Sequence, residues 1–526
     1  MALYLQDDYK VTPNLTLNLG LRWDANIGNL PDQTNNRTIR LLKLLNHPRA
    51  RAITGDDEKL SRTTPSWTEF QPRFGFAWDP KGTGRTVIRG GYGIFYDQLF
   101  QNLTLFSLTQ SNPVLYQTII NLSNTGTAAV PAGPLAGFRF GVDPLPAVPS
   151  DFSISNLAFG GFGRINDPDA SEPYVQKFSL GIETKLGDSM TLSSDYVHTL
   201  GLHESRVQVI NPLIQNICDP LYPNSTPASP QCVRGASTRL FDRAFVDAGF
   251  PLRFPAGVTD PTRASARVEQ INMIGTTNRS LFDSWTTTFK YRTRKYLFSG
   301  SYVLASSRSW GGQPVASYSG NGIATTPENQ FRPGEFGPTR LDERHRIVLS
   351  GVFELPGGFQ LAPIMQLASS RPFSPTTGVD IDGDGLATND RLCANADLAA
   401  VFAVRGNSTA VRALNPRGCT QANVNSLRSG FVVDSTGAIS ERGNRFFNLD
   451  LRVNKAFSFG ERIKLNAYAD IYNVFNVENL ALANRFHLSP ATSAGGFLQP
   501  VSLFGPGFGP PVGRPLTLQL GARLTF

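Results

Sequence analysis

No stretch of this chain strings together the roughly 18 apolar residues that a helix needs to cross a bilayer, so a helical membrane protein is excluded. Charge is scarce too. Only 17% of the 526 residues are Asp, Glu, Lys or Arg, and there are 4 Cys and 5 His. His47, His198, His203, His345 and His487 form no H-E-x-x-H, and the cysteines form no C-x-x-C, so no recognisable zinc centre exists. The chain also lacks a G-x-S-x-G elbow, and any Ser-His-Asp set would have to be gathered from distant loops, so it reads as a non-enzyme. The net charge of +8 comes from Lys and Arg scattered over strand ends and inward positions such as Arg22, Arg452 and Arg523, without a basic run. That scatter argues against nucleic acid as a partner. A barrel lumen or a lipopolysaccharide-facing rim accounts for the charge more simply.

What the chain has in abundance is Gly (49), Pro (37) and Phe (36), a mix suited to many strands and turns. The C-terminal stretch Leu516 to Phe526 sets Leu516, Leu518, Leu520, Ala522, Leu524 and Phe526 on one face. Thr517, Gln519, Arg523 and Thr525 occupy the other. A tilted strand needs about 9 to 11 residues to cross the hydrocarbon layer, and this one has them. The same alternation runs from Leu15 to Asp24 and from Phe447 to Phe459. Further candidates are Arg73 to Asp79, Arg85 to Asp97, Tyr174 to Lys185, Ser189 to Leu200, Ser280 to Arg292, Lys295 to Ser306, Arg344 to Leu355, Phe359 to Ser370 and Glu461 to Asn476. With Leu3 to Lys10 there are thirteen. Val268 to Ile274 is a candidate fourteenth, read here as part of an extracellular hairpin.

Connections alternate in length. Short ones lie at Val11-Thr12-Pro13-Asn14, at 80–84, 186–188, 293–294 and 356–358, and at Gly460. Long Pro-, Gly-, Asn- and Ser-rich ones occupy 25–72, 98–173, 201–279, 307–343, 371–446 and 477–515. Short periplasmic turns opposite long extracellular loops are the layout of an outer-membrane β-barrel, the only non-helical way to span a bilayer. The expected fold is therefore an all-β, antiparallel transmembrane barrel in the cell outer membrane of a Gram-negative bacterium. Single-chain bacterial barrels have an even number of strands. An odd thirteen, with no signal peptide after Met1, predicts that residues 1–526 form the C-terminal portion of a larger barrel, without its N-terminal strands.

Within the predicted loops lie two local cysteine pairs, Cys218 with Cys232 and Cys393 with Cys419. Four cysteines permit three pairings; local pairing is favoured and points to an oxidising compartment. The segment Asp380-Ile-Asp382-Gly-Asp384-Gly385 matches the opening of a calcium loop. There alternate carboxylates and a tight glycine bend wrap oxygen around a hard cation. Arg391 stands where the closing carboxylate belongs and Asp390 comes one residue early, so Asp380, Asp382, Asp384 and Asp390 are candidate Ca2+ ligands. The alternative is an Asp/Gly-rich turn with solvated carboxylates. No other cofactor is expected. Gly90-Gly91-Tyr92-Gly93 lacks the G-K-[ST] of a phosphate loop and reads as a barrel strand. Trp23, Trp78, Tyr96, Tyr174 and Tyr302 sit at strand ends and read as interfacial girdle rather than ligand platforms.

Several segments carry a family resemblance. Residues 4–23, Tyr-Leu-Gln-Asp-Asp-Tyr-Lys-Val-Thr-Pro-Asn-Leu-Thr-Leu-Asn-Leu-Gly-Leu-Arg-Trp, resemble a stretch of TonB-dependent receptor barrels. Pro72 to Asp79, Asp342 to Arg346 and Tyr472 to Asn476 are similar to stretches of the Oar-like branch. The resemblance implies a 22-stranded barrel around a plug domain, energised through the TonB complex, with the terminal Phe526 strand recognised by the barrel-assembly machinery. Neither plug nor TonB box occurs in this sequence. By analogy with Oar-like relatives, the extracellular ligand is a bulky oligosaccharide or peptide. The expected function is a receptor that binds such a solute through its loops and admits it to the periplasm. The alternative is a barrel with a structural, adhesion or surface-interaction role and no uptake.

Overall fold

The computed structural model describes residues 1–99, 105, 139, 142, 163–212, 239–249, 271–311, 331, 334–379, 381, 390–416, 418–433, 436, 438–443, 445–460, 463–482, 500–503 and 515–526. The strands in its first half are β1 (Ala2–Thr12), β2 (Leu15–Asp24), β3 (Glu69–Trp78), β4 (Thr86–Tyr96), β5 (Gly163–Asn166), β6 (Tyr174–Leu186), β7 (Met190–Val209) and β8 (Ile271–Arg292). There follow β9 (Tyr296–Trp310), β10 (Phe336–Pro338), β11 (His345–Leu355), β12 (Phe359–Ala368), β13 (Ser429–Val433), β14 (Ile439–Gly443), β15 (Phe446–Phe459), β16 (Ile463–Tyr472), β17 (Leu480–Leu482), β18 (Pro500–Leu503) and β19 (Thr517–Thr525).

Thirteen of these make one antiparallel wall in the order β1-β2-β3-β4-β6-β7-β8-β9-β11-β12-β15-β16-β19. Every sequence-predicted segment falls on one wall strand. Neighbours in the wall are neighbours in the chain, so short and long connections segregate to opposite ends. Among the described residues β1 and β19 each pair on one side only.

Register fixes two faces. Leu19, Phe74, Tyr92 and Phe178 lie abreast on four strands, as do Leu451, Ile471 and Leu518 on three others, and form the apolar face. That face is open: Leu518 is 61% exposed and Leu520 73%. The opposite face carries Arg89, Gly181 and Asp195 abreast, and Arg452, Asp470 and Gln519 abreast. Apolar outside and polar inside is the arrangement of a barrel wetted by lipid on one flank and water on the other. Among the described residues no helix is long and apolar enough to span a membrane.

Two strands overrun the sequence expectation. β7 has 20 residues and β8 has 22, whereas crossing the hydrocarbon takes about 9 to 11. The ladder shifts register between Gly201 and Arg206, with His203 at φ 55°, and then continues as Arg206↔Gly275 to Val209↔Asn272. Val207, Val209, Ile271, Met273 and Ile274 are buried in this upper part, so Ile271 to Ile274 is the top of β8 rather than a strand of its own. β3 likewise begins at Glu69 and runs through Pro72, which pairs with Leu21 while pairing to β4 stops at Arg73. A residue without an N–H is tolerated where a ladder ends.

The deep hydrophobic cores lie in the connections. One gathers Ile39, Leu42, Leu45, Ile53 and Leu60 from the β2–β3 connection with Ile165 of β5, Phe241 and Phe245, and Ile271 of β8. A second, inside the β12–β15 connection, is built on Phe373, Leu392, Val401, Phe402 and Val411. The long-loop end is therefore a folded layer, with β5 running parallel to β8 and β10 pairing antiparallel with the top of β9.

Candidate functional site

The polar face of the wall is knit by ion pairs and hydrogen bonds, within one strand and across strands. Arg22 Nε donates to both oxygens of Asp24 at 2.9 and 3.0 Å, and Gln71 donates to the same carboxylate. Arg89 on β4 reaches Asp195 on β7 at 3.0 Å across the whole width of β6. Gly181 of β6 makes that possible: a Cβ there would lie 2.0 Å from Asp195 Oδ1. Arg452 donates Nε and Nη2 to Asp470 at 2.5 and 2.7 Å and lies 4.8 Å from the Tyr468 ring centre. Beside this pair is a cavity of about 390 Å³ with a mixed lining, in which Leu297, Val352 and Ile364 stand beside Ser299, Arg452 and Asp470 among others. The ion pairs offer hydrogen bonds and charge, and the cavity beside them adds apolar contact.

Above the wall, local sequence rules build the layer. Short helices start where a side chain accepts the free backbone N–H groups. Asn36 caps Arg37–Lys43, His47 with Pro48 behind it caps Pro48–Thr54, and Asp56 caps Asp57–Ser61. Gln33 then ties the layer to β5, exchanging hydrogen bonds with the backbone of Asn166 at 2.7 and 3.0 Å. Glu172 accepts from Leu99 N at 2.8 Å and Asn29 Nδ2 at 3.1 Å, and burial pushes its carboxyl above the usual range. Burial does the same to Asp167.

Three connections meet at a cationic cluster. Arg206 at the top of β7, Glu335 just before β10, and Arg391 in the β12–β15 connection lie together, next to the rings of Trp310, Phe331 and Phe336. Nothing local in the sequence marks these three residues as partners; only their separation into three predicted loops could have drawn attention to them.

The structure places the sequence-predicted residues as follows. Cys393 is disulfide-bonded to Cys419; Cys218 and Cys232 lie outside the described residues. Asp380, Asp382 and Asp384 also lie outside them. Asp390 is buried and accepts from Ile381 N and Gln421 Nε2, both at 2.8 Å. Among the described residues no group of three or more His, Cys, Asp and Glu is placed to hold a metal. Gly90, Gly91 and Gly93 are in β4, where Gly91 lets the backbone of Phe74 approach and Gly90 is covered by the Phe76 ring. Trp23, Trp78, Tyr96, Tyr174 and Tyr302 all fall by register on the apolar face, with Tyr302 midway along β9 rather than at its end.

Histidines serve local geometry. His198 shares Asp283 with Tyr196 at 2.8 and 2.7 Å, His345 pairs with the Tyr302 hydroxyl at 2.9 Å, and His203 with Ser171 at 2.8 Å. Among the described residues the Ser171–His203 pair has no carboxylate on the other imidazole nitrogen, so no triad is completed. Phe526, 94% exposed, follows directly on β19.

Among curated protein sequences nothing matches the chain. Solved structures similar to it include the outer membrane transporter YddB from Escherichia coli, with TM-score 0.44 and 12% identity over 91% of this chain and 41% of that one. The FrpB iron transporter of Neisseria meningitidis gives 0.39 and 10% over 99% and 45%. A ferric enterobactin receptor of Pseudomonas aeruginosa gives 0.42 and 9% over 100% and 44%. The chain spans less than half the length of each. A sequence profile described as an outer membrane beta barrel domain matches residues 1–501. With that match over a two-faced antiparallel wall, the chain belongs to the outer membrane beta barrel family and resides in the outer membrane of a Gram-negative bacterium.

Proposed function

We propose that the chain is the loop-bearing C-terminal part of a TonB-dependent receptor barrel that captures a bulky solute at the cell surface and admits it to the periplasm. One observation carries the reading. The long connections, gathered at one end of the wall, form a layer with its own hydrophobic cores and buried polar links over a polar lumen. A barrel serving only as scaffold has no need of so much ordered structure above its mouth.

The edges of the wall and the family resemblance supply the remaining parts of the proposal. An unpaired row of backbone groups is not tolerated against lipid, so the open edges of β1 and β19 are closed by further strands of the same barrel. By the resemblance to TonB-dependent receptors, a plug and the TonB contact lie in that remaining part, and the exposed Phe526 end is the handle for the barrel-assembly machinery. The test is uptake of fluorescent oligosaccharides and peptides by cells with and without the intact gene. Uptake that needs the gene and stops with a protonophore is expected. Adhesion lost with the gene while uptake of every solute is unchanged would overturn the transport reading in favour of a surface-interaction role.

A further inference from the structure

We infer that Arg206 and Arg391, flanked by Trp310, Phe331 and Phe336, form a subsite for the anionic group of a solute, a carboxylate or phosphate whose carrier packs against the rings. The charges do not balance. Glu335 Oε1 accepts from Arg391 Nη2 at 2.7 Å, while Glu335 Oε2 stays 4.0 Å from Arg206 Nη2, beyond hydrogen-bonding reach. Arg391 is further satisfied by the Ala422 carbonyl at 2.6 Å. Arg206 is only 4% exposed, yet among the described residues neither Nη1 nor Nη2 has a hydrogen-bond partner. Among the described residues one carboxylate thus faces two guanidinium groups, and the less satisfied of them is almost closed off from water.

A buried guanidinium whose Nη atoms make no hydrogen bond is costly even beside a carboxylate, and proteins satisfy such groups or give them a ligand. Burial pushes the Arg206 pKa down to about 10 against the pull of Glu335, so the group is still cationic at neutral pH. Its planar fork matches the two oxygens of a carboxylate or phosphate. The rings show the side of approach. Arg206 lies 5.4 Å from the Phe331 ring centre, and Trp310 meets Phe331 edge-on at 5.1 Å and Phe336 at 5.5 Å. Phe331 is 42% and Phe336 36% exposed, so open apolar faces stand next to the buried charge. That pairing of surfaces suits a sugar acid or a phosphorylated ring compound.

The inference takes its biological purpose from the solute-capture reading but is measured without transport. Full chain folded in detergent is titrated calorimetrically at fixed ionic strength with inorganic phosphate, D-galacturonate and neutral D-galactose. Saturable binding of both anions is expected, with galactose weaker by about tenfold or more, the worth of a charge-assisted hydrogen bond. Arg206→Gln should lose the preference and Arg206→Lys keep part of it. Phe336→Ala should weaken galacturonate and leave phosphate unchanged. Absence of saturable anion binding to the parent, or an Arg206→Gln protein that binds as the parent does, overturns the subsite. Should Arg206→Gln not fold, the anion preference of the parent and the Phe336→Ala split decide alone. Anion binding without uptake would keep the subsite and remove transport; uptake without anion preference would do the reverse.

Discussion

Leu520 on β19 and Phe402 in the β12–β15 connection are both large apolar side chains, yet Leu520 is 73% exposed and Phe402 completely buried. The first belongs to a wall whose apolar side has no protein to rest on. The second belongs to a layer built like a small soluble domain, with a core, capped helices and a disulfide. Two solvents explain the difference: lipid stabilises an exposed Leu and water does not. Exposure therefore has opposite meanings in the two regions, and substitutions should reveal where one rule gives way to the other.

The largest effect is expected in the layer. Phe402→Ala removes a ring packed 5.1 Å from Phe431 and among Val401, Val411 and Leu392, and should cost about 3 to 5 kcal/mol. Hydrogen exchange should show lost protection across 392–431, while the heat-modifiable gel shift of the folded barrel stays as in the parent. A loss of that gel shift would mean the layer and wall fold as one unit. Next comes the wall. Leu518→Arg or Leu520→Arg puts a charge against lipid at a cost of about 2 to 4 kcal/mol near mid-depth, enough to block insertion into vesicles. By the rules of a soluble protein such exposed positions would tolerate Arg, so normal insertion of both variants would reverse the assignment of faces.

The wall was legible in the sequence because a strand's side-chain period of two shows in any ten residues. Leu15 to Asp24 displays it without reference to the rest of the chain, and β2 has those same bounds. The layer was not, since its contacts are distant in sequence. Gln33 bonds with Asn166, Arg391 with Glu335, and Gly181 matters only because Arg89 and Asp195 meet over it. The top of β7 and β8 escaped for a related reason. Gly201 and the left-handed His203 interrupt the alternation, and Val207 and Val209 above the shift face a core that sequence does not reveal.

A smaller effect sharpens the comparison through pH. In the layer, burial raises the carboxyls of Glu172 and Asp167 above their usual 4.5 and 3.8. A carboxyl whose folded pKa is raised holds its proton more tightly when folded, so its contribution is present below the unfolded value and is lost as pH rises through the folded one. Between about pH 4 and neutrality the layer should therefore lose stability as pH climbs. Hydrogen exchange at Leu99 and Ile274, compared at the two ends of that range, should show more protection in acid, and Glu172→Gln should flatten the profile. Equal protection throughout would mean these carboxyls stay hydrated.

The smallest effect concerns calcium, and it sets two kinds of order against each other. Asp390 already gives both carboxylate oxygens to Ile381 N and Gln421 Nε2, contacts that pin the start and end of the Asp-rich segment without any ion. If Asp380, Asp382 and Asp384 bind Ca2+ as well, chelation should raise protease cleavage between 381 and 390, and added Ca2+ should reverse it. Asp390→Asn separates the contributions. It exchanges one acceptor for a donor and should loosen the segment by roughly 1 kcal/mol with or without ion. A chelator response that survives in this variant assigns the ion to the three upstream carboxylates. A response lost with it makes Asp390 a ligand, and cleavage that ignores the chelator in both proteins leaves the segment a hydrogen-bonded turn.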